Sequence, residues 1–326
     1  WMSMRLIALL PIAASPVVAQ IVPDTTLPKN TIVTPNGDVF IIDGGTASGT
    51  NLFHSFSEFS VPTGSEAFFN NATTIDNVVT RITGSSISNI DGLIRANGTA
   101  NLFLLNPNGF VFGENASLDI GGSLVVSTAD SLQFADGFEF SAIAPETSPL
   151  LTVSVPVGLQ LGTDPGAIVN RSVSGDIREG IPRGIEVIPG QTLTLIGGDV
   201  HLEGGHLTAL GGKVAILAVE DGFVQLYPTL SPNYQSVIFR DIILLNGASV
   251  DVSNFSGLTN ISASGSVDLQ GQNIVLRGGS FVSSGNFGVN LGGSVVVRAT
   301  ESVLLDGEGN HLSPLRPTSI TTSTVS

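Results

Sequence analysis

Pairs of glycines recur every seven residues in the middle of the chain. They stand at Gly197–Gly198, Gly204–Gly205 and Gly211–Gly212, and the same spacing returns at Gly271, Gly278, Gly285 and Gly292. Seven residues accommodate one short strand and one bend, so three such units close a rung of about 21 residues. Rungs that stack on one another form a parallel β-helix, in which each repeat contacts only its neighbours.

The segments between the bends have the composition of strands. They are short runs of Val, Ile, Leu and Phe that alternate with Ser, Thr and Asn, and branched side chains of this kind pack well on a pleated surface. Asn-Gly and Asp-Gly pairs such as Asn36-Gly37 and Asn108-Gly109 separate them, which is typical of tight turns. We therefore predict an all-β chain, a single-stranded parallel β-helix. Its inward ladders are expected to include Val200, Leu202, Leu207, Val214 and Ile216.

Two other folds share parts of this pattern. A seven-residue period is also that of a coiled coil, but a glycine in every repeat would cost about 1 kcal/mol each in a helix. An antiparallel β-sandwich stays open as the alternative, because Asn-Gly turns suit hairpins as well as coils. If every residue after position 19 lay in the coil, there would be about 15 rungs of roughly 21 residues each.

Charge and cysteine content exclude several classes of protein. The chain has 12 Lys and Arg against 27 Asp and Glu, a formal net charge of −15, so it would repel a phosphate backbone, and we expect no nucleic-acid partner. Cysteine is absent, which excludes a disulfide framework and thiolate chemistry. No motif for a cofactor is present, and we expect none.

The first residues have the pattern of a secretory signal. Arg5 supplies the positive charge, Leu6 to Ala14 form a short apolar stretch, and Val17-Val18-Ala19 resembles a small-residue cleavage site. The apolar stretch is too short to span a membrane, and no later one is longer, so we expect no membrane span. Residues 1–19 are therefore predicted to be a signal peptide.

Residues 82–129 contain the most distinctive motifs of the chain. Ser88-Asn89-Ile90-Asp91-Gly92 is followed by Asn106-Pro107-Asn108-Gly109, and then by Phe110, Phe112, Leu118 and Ile120, which should return to the core. Pro107 fixes its own φ and pushes Asn106 towards an extended conformation, so that Asn108 and Gly109 take the turn. From the residues alone, this motif is a stabilised bend of the coil.

This block closely resembles the haemagglutination-activity domain of filamentous-haemagglutinin-like exoproteins, especially those of cyanobacteria. The resemblance covers roughly residues 24–145. It implies a right-handed β-helix with a capped N-terminus and some strands outside the coil. It also implies two-partner secretion, in which the periplasmic domains of an outer-membrane β-barrel transporter recognise the N-terminal domain and pass the unfolded chain to the exterior.

The resemblance suggests both a division of the chain and a site. Residues 20–160 would be the secretion domain, and residues 161–326 would continue the β-helix as part of a surface adhesin or haemagglutinin. The residues expected to serve transporter recognition or folding are Asn106, Pro107, Asn108, Gly109, Asn89, Asp91 and Gly92. The passenger would be secreted or held at the outer cell surface. There it would bind a host or cell-surface receptor or a glycan.

Three other functions have sequence features of their own. His201, Glu203 and His206 lie within six residues, as zinc ligands do, although we predict no metal site because solvated faces of a β-helix often carry such residues. Some β-helices process polysaccharides, and Phe53, Phe56 and Phe59 could form a sugar platform instead of filling a cap or core. We nevertheless predict no enzyme, since no acid/base pair of carboxylates stands out. A passive extracellular rod would have the same sequence features as an adhesin, so the sequence leaves this alternative open.

Overall fold

The computed structural model describes residues 21–146, 151–178, 180–226, 233–255, 265–287, 293–307 and 317–324. The predicted signal peptide lies outside these residues. The described part of the chain consists of strands, turns and bends, and no helix in it is long and apolar enough to cross a membrane.

The strands are numbered in chain order. The first half of the chain contains β1 Ile21–Pro23, β2 Thr31–Asn36, β3 Val39–Gly44, β4 Thr46–Ser48, β5 Asn51–Phe59, β6 Glu66–Phe69, β7 Asn77–Ile82, β8 Ser88–Ile90, β9 Leu93–Ala96, β10 Asn101–Leu105, β11 Phe110–Phe112, β12 Ser117–Asp119, β13 Leu124–Ser127, β14 Ser131–Phe134, β15 Glu139–Ser141 and β16 Pro156–Leu161. The second half contains β17 Ile168–Asn170, β18 Ile177–Arg178, β19 Ile181–Pro182, β20 Ile185–Glu186, β21 Thr192–Gly197, β22 Val200–Glu203, β23 His206–Thr208, β24 Lys213–Gln225, β25 Asn233–Phe239, β26 Ile242–Leu245, β27 Ser249–Asp251, β28 Asn254–Phe255, β29 Ser266–Arg277, β30 Phe281–Phe287, β31 Ser294–Asp306 and β32 Ser319–Thr324.

Parallel pairing stacks these strands into the three faces of a β-helix, as predicted. Face 1 consists of β5, β7, β10, β13, β21, β24, β29 and β31 in that order. Face 2 consists of β8, β11, β17, β22 and β26, followed by the second halves of β29 and β31. Face 3 is formed by β3, β6, β9 and β12 in the first layers, and by β20, β23, β27, β30 and β32 in the later ones.

The register shows where the seven-residue repeat holds. On face 1, Leu193 pairs with Val214, a step of 21 residues that coincides with the Gly-Gly repeat. The steps from Leu102 to Leu124 and from Val267 to Val295 are 22 and 28 residues. Face 1 has eight strands in the described residues, fewer than the roughly 15 rungs that a chain lying wholly in the coil would form. Long stretches of the chain form strands outside the coil instead.

The interior of the coil is a continuous apolar ladder. Val200, Leu202, Leu207, Val214 and Ile216 are at most 1% exposed and belong to one core cluster, as the alternation predicted. Phe110, Phe112 and Ile120 are also buried in it, and Leu118 packs against it half-buried. Burial of an apolar side chain contributes roughly 1.5–3 kcal/mol, so these ladders supply most of the driving force for stacking.

The antiparallel strands lie outside this coil. At the N-terminal end, β1 and β4 pair with β5, and β2 forms a hairpin with β3 through Gly37, whose φ is +62°. These strands form the expected cap. A second antiparallel group joins β15, β14, β16, the end of β24 and β25. We call residues 128–146 and 151–161, which contain β14, β15 and β16, the strap.

The strap covers the outer side of face 1. A second hydrophobic cluster lies between them, with Phe53, Val79, Phe103 and Val125 contributed by face 1 and Leu132 and Leu159 among those from the strap. This explains why strands such as Leu102-Phe103-Leu104-Leu105 are apolar on both sides. In this strand Leu102 and Leu104 fill the coil, and Phe103 and Leu105 fill the second core.

Each position of a Gly-Gly pair requires glycine for a different physical reason. Gly204 has a φ of +74°, a conformation that glycine adopts without strain. A Cβ on Gly205 would lie 2.4 Å from the carbonyl oxygen of Asn170 in the neighbouring rung. The second glycine of the pair is therefore required by the close approach of two backbones and not by its own φ.

Gly205→Ala is expected to lower the free energy of unfolding by about 1–3 kcal/mol, because the rungs must separate to admit the methyl group. Gly307→Ala is the matched control, since a Cβ there meets no atom of the described residues within 4 Å. Urea unfolding followed by circular dichroism measures both. Equal stability of the two variants would contradict the close-approach explanation.

Candidate functional site

The Asn106–Gly109 motif forms the corner between β10 on face 1 and β11 on face 2. Asn106 is fully buried, and its amide is saturated with hydrogen bonds. Its Nδ2 donates to the carbonyl of Ser86 at 3.0 Å and to Ser88 Oγ at 2.9 Å. Its Oδ1 accepts hydrogen bonds from the backbone N–H and the Nδ2 of Asn108 at 3.0 and 2.9 Å. The side chain thus fixes both its own turn and the layer below.

The rest of the motif extends these contacts in both directions. Asn108 Nδ2 donates to the carbonyl of Gly84 at 2.8 Å in the preceding layer. The carbonyl of Pro107 accepts the Gly166 N–H at 2.9 Å in the following layer. Gly109 has a φ of +116°, and a Cβ there would lie 2.7 Å from the carbonyl of Ala167. The motif therefore ties together three successive layers at one corner.

The second part of the predicted site lies at the other end of β8, at the corner between faces 2 and 3. Asp91 accepts hydrogen bonds from Thr63 Oγ1 and, at 2.9 Å, from the Asn115 N–H. Partial burial acts to raise the pKa of the Asp91 carboxyl, but these hydrogen bonds outweigh it and hold the pKa below its usual value. A Cβ on Gly92 would lie 2.3 Å from the carbonyl of Ser65, so this position also needs glycine.

The structure connects the two corners through Ser88 and does not bring them into one pocket. Ser88 Oγ accepts the hydrogen bond from Asn106, and the Ser88 N–H donates to the carbonyl of Gly109 at 3.1 Å. Asn89, by contrast, is exposed, and its backbone carbonyl accepts the Val61 N–H. Of the predicted site residues, Asn89 is exposed, and Asp91, Pro107 and Asn108 are half-buried.

An open polar groove of about 480 Å³ runs beside the Asn106–Gly109 corner. Pro107 and Asn108 line one side, and Asp164, Asp199 and Arg240 line the other. Arg240 Nη2 lies 3.2 Å from Asp164 Oδ1, which is an ion pair near the surface. The groove gives the corner an accessible surface, although Asn106 itself lies beneath it.

Sequence analysis missed a ladder of asparagines at the start of face 1. Asn77 Nδ2 donates to Asn51 Oδ1 at 2.9 Å, and Asn101 Nδ2 donates to Asn77 Oδ1 at 3.0 Å. The repeated triplet Asn-Leu-Phe at 51–53 and 101–103 was the available signal, because it places the same polar residue before the same apolar pair.

The structure also tests the alternative sites. His206 is buried, and its Nδ1 lies 2.7 Å from Ser249 Oγ, whereas His201 and Glu203 lie at the surface of face 2. No group of three or more His, Cys, Asp or Glu side chains in the described residues is placed to hold a metal ion. Phe53, Phe56 and Phe59 are at most 2% exposed, so the interpretation as a sugar-binding platform is wrong and they fill the core.

Comparisons with known proteins agree with this architecture. A family model described as the TPS secretion domain matches residues 19–272. Among solved structures, the chain resembles the crystal structure of the HMW1 secretion domain from Haemophilus influenzae, with a TM-score of 0.50 and 17% sequence identity over 93% of this chain and 83% of that one. At this identity the likeness concerns the fold alone. No curated protein sequence matches the chain.

Proposed function

Because the chain belongs to the family of TPS secretion domains and is part of a two-partner-secreted exoprotein exported through the periplasm, we propose that an outer-membrane β-barrel transporter recognises it through the Asn106–Gly109 motif. The family is one of secretion domains and not of enzymes. Residues 20–160 would carry the recognition, with Asn89, Asp91 and Gly92 supporting the neighbouring corner.

The burial of Asn106 is the observation that carries this proposal. A side chain that is 0% exposed and bonded through both amide atoms offers nothing to a partner in the folded state. Recognition through it therefore belongs to the unfolded chain in the periplasm. An extended segment of this kind suits β-augmentation, in which a strand is added to the partner's sheet. After export, the same residues close the corner and join three layers.

The remaining part of the chain would act outside the cell. A β-helix presents long, regular faces and extends by adding layers, which suits a surface adhesin or haemagglutinin that holds a receptor-binding passenger away from the membrane. A cell-surface receptor or a glycan is the proposed ligand of that passenger. Binding of the purified exoprotein to cells or immobilised glycans separates an adhesin from a passive rod.

The test is secretion from a heterologous bacterium with and without a transporter, using the wild type, Asn106→Ala/Asn108→Ala and Asn170→Ala. Asn170 is the matched control, because it is also fully buried and its Oδ1 accepts the N–H of the residue two positions later, at 3.1 Å. Each alanine leaves buried groups without a partner, so we expect the variants to lose about 2–3 kcal/mol of unfolding free energy.

The proposal expects transporter-dependent export that is lost in the Asn106→Ala/Asn108→Ala variant and retained in Asn170→Ala. Equal export of both variants would show that the motif acts only in the folded state. Export of the wild type without any transporter would contradict the two-partner route itself.

A further inference from the structure

A row of apolar side chains runs along the outer side of face 1 through its first four layers. Phe53, Val79, Phe103 and Val125 form this row, one residue from each layer, and none is more than 1% exposed. They belong to the second hydrophobic cluster and not to the interior of the coil. Since parallel stacking alone would leave this row in water, another element must cover it.

The strap covers it through contacts with the first two layers. The Phe53 ring lies 5.7 Å from Phe134 and 5.1 Å from Phe140, centroid to centroid. Arg81, on β7, is 2% exposed, and its Nη1 donates to the carbonyl of Ser141 at 2.8 Å. Without the strap, Arg81 Nη1 would lose this acceptor, and a buried donor without a partner is costly.

The strap is held on its other side by a much later segment. Residues Gly158–Leu161 of β16 pair antiparallel with Gly222–Gln225 at the end of β24. The Leu226 N–H donates to the carbonyl of Val157 at 2.8 Å, and Leu159 and Val224 are both fully buried in the second cluster. We call residues 222–226 the clamp. The clamp follows directly on the face 1 part of β24, which is the sixth layer.

We infer that the strap closes over the first four layers only when the clamp is in place, so that these layers become stable together with β24 and not before it. The row Phe53–Val125 stays bare until then, which opposes a simple order of folding from the first rung to the last. Residues 21 to 226 therefore fold as one cooperative unit when the strap forms.

This inference has a consequence for export that rests on the proposed function. A chain that leaves the transporter from its N-terminus would remain open on face 1 until residue 226 is outside. Folding of the first rungs could then not hold the chain outside the cell on its own. The order of folding itself is a property of the purified chain and is tested without a transporter.

The test is pulsed hydrogen exchange with mass spectrometry during refolding of the chain from urea. We expect the amides of β7 and β10 to gain protection in the same kinetic phase as those of β16 and the clamp. Protection of β7 and β10 in an earlier phase than β16 and the clamp would overturn the inference.

A pair of variants adds a second readout. Leu159→Ala weakens the contact of strap and clamp and is expected to slow protection of β7 and β10 by about tenfold. Leu276→Ala removes an equally buried leucine from the interior of a later layer and should leave that rate unchanged. Unchanged protection of β7 and β10 in Leu159→Ala would overturn the inference. If Leu159→Ala does not fold, the inference is tested by the wild type alone, through the order in which β7, β10, β16 and the clamp gain protection.

Discussion

Lowering the pH from 7 to 4 is expected to remove about 3 kcal/mol of unfolding free energy for each of two buried histidines. His54 is 1% exposed, its Nδ1 lies 3.1 Å from Thr31 Oγ1, and its Nε2 has no hydrogen-bond partner among the residues that the structure describes. Burial lowers the pKa of His54 to about 3, and burial likewise lowers that of His206 to about 4.

The direction of the effect follows from the two states. An unfolded histidine takes up a proton near pH 6.5, whereas the folded rings remain neutral until about pH 3 and 4. The unfolded chain therefore binds more protons between these values. Stability is fully present above pH 6.5 and is lost as the pH falls towards the folded pKa values.

Urea unfolding at a series of pH values measures this loss. The variant His54→Gln/His206→Gln is expected to show a much flatter profile between pH 7 and pH 4, even though it is less stable at pH 7. His201→Gln is the control, because that ring is about a third exposed, and the steep profile should persist. A profile equally steep in the double variant would assign the acid sensitivity to carboxylates instead.

Much of the coil followed from local patterns in the sequence. The seven-residue spacing of glycines between 197 and 212 matches the 21-residue step from Leu193 to Val214. Alternation placed Val200 and Leu202 inside, as they are. These features could be predicted because each repeat contacts only its direct neighbours. The local sequence of a rung is therefore enough to indicate its strands, its bends and its inward side chains.

The strap and the buried charges could not be predicted in the same way. The strap joins residues about 60 positions apart by antiparallel pairing, and no local pattern distinguishes Leu159 from a residue of the coil. The candidate motif was located from its turn chemistry, but the burial of Asn106 depends on Ser86 and Ser88 in the preceding layer. Contacts between layers depend on which residues of successive layers pair. This register cannot be predicted from the sequence where insertions interrupt the repeat.

Arg81→Ala is expected to lower the free energy of unfolding by about 3–5 kcal/mol. Besides Ser141, Arg81 donates to Ser55 Oγ at 2.9 Å and to Thr26 Oγ1 at 2.8 Å, and its guanidinium lies 4.2 Å from the centre of the Phe140 ring. Burial lowers the pKa of Arg81 to about 10, while the charge of Asp24 acts in the opposite direction. The side chain therefore joins the cap, two layers and the strap.

Arg298→Ala provides the matched control for this loss. Arg298 Nη1 lies 2.9 Å from Asp268 Oδ1, but the arginine side chain is 50% exposed, so its removal should cost less than about 1 kcal/mol. Urea unfolding at pH 7 compares the two variants with the wild type. Because Arg81 connects segments that are far apart in sequence, its loss should also lower protection of β7 in hydrogen exchange. A cost no greater than that of Arg298→Ala would mean that the buried network contributes no net stability.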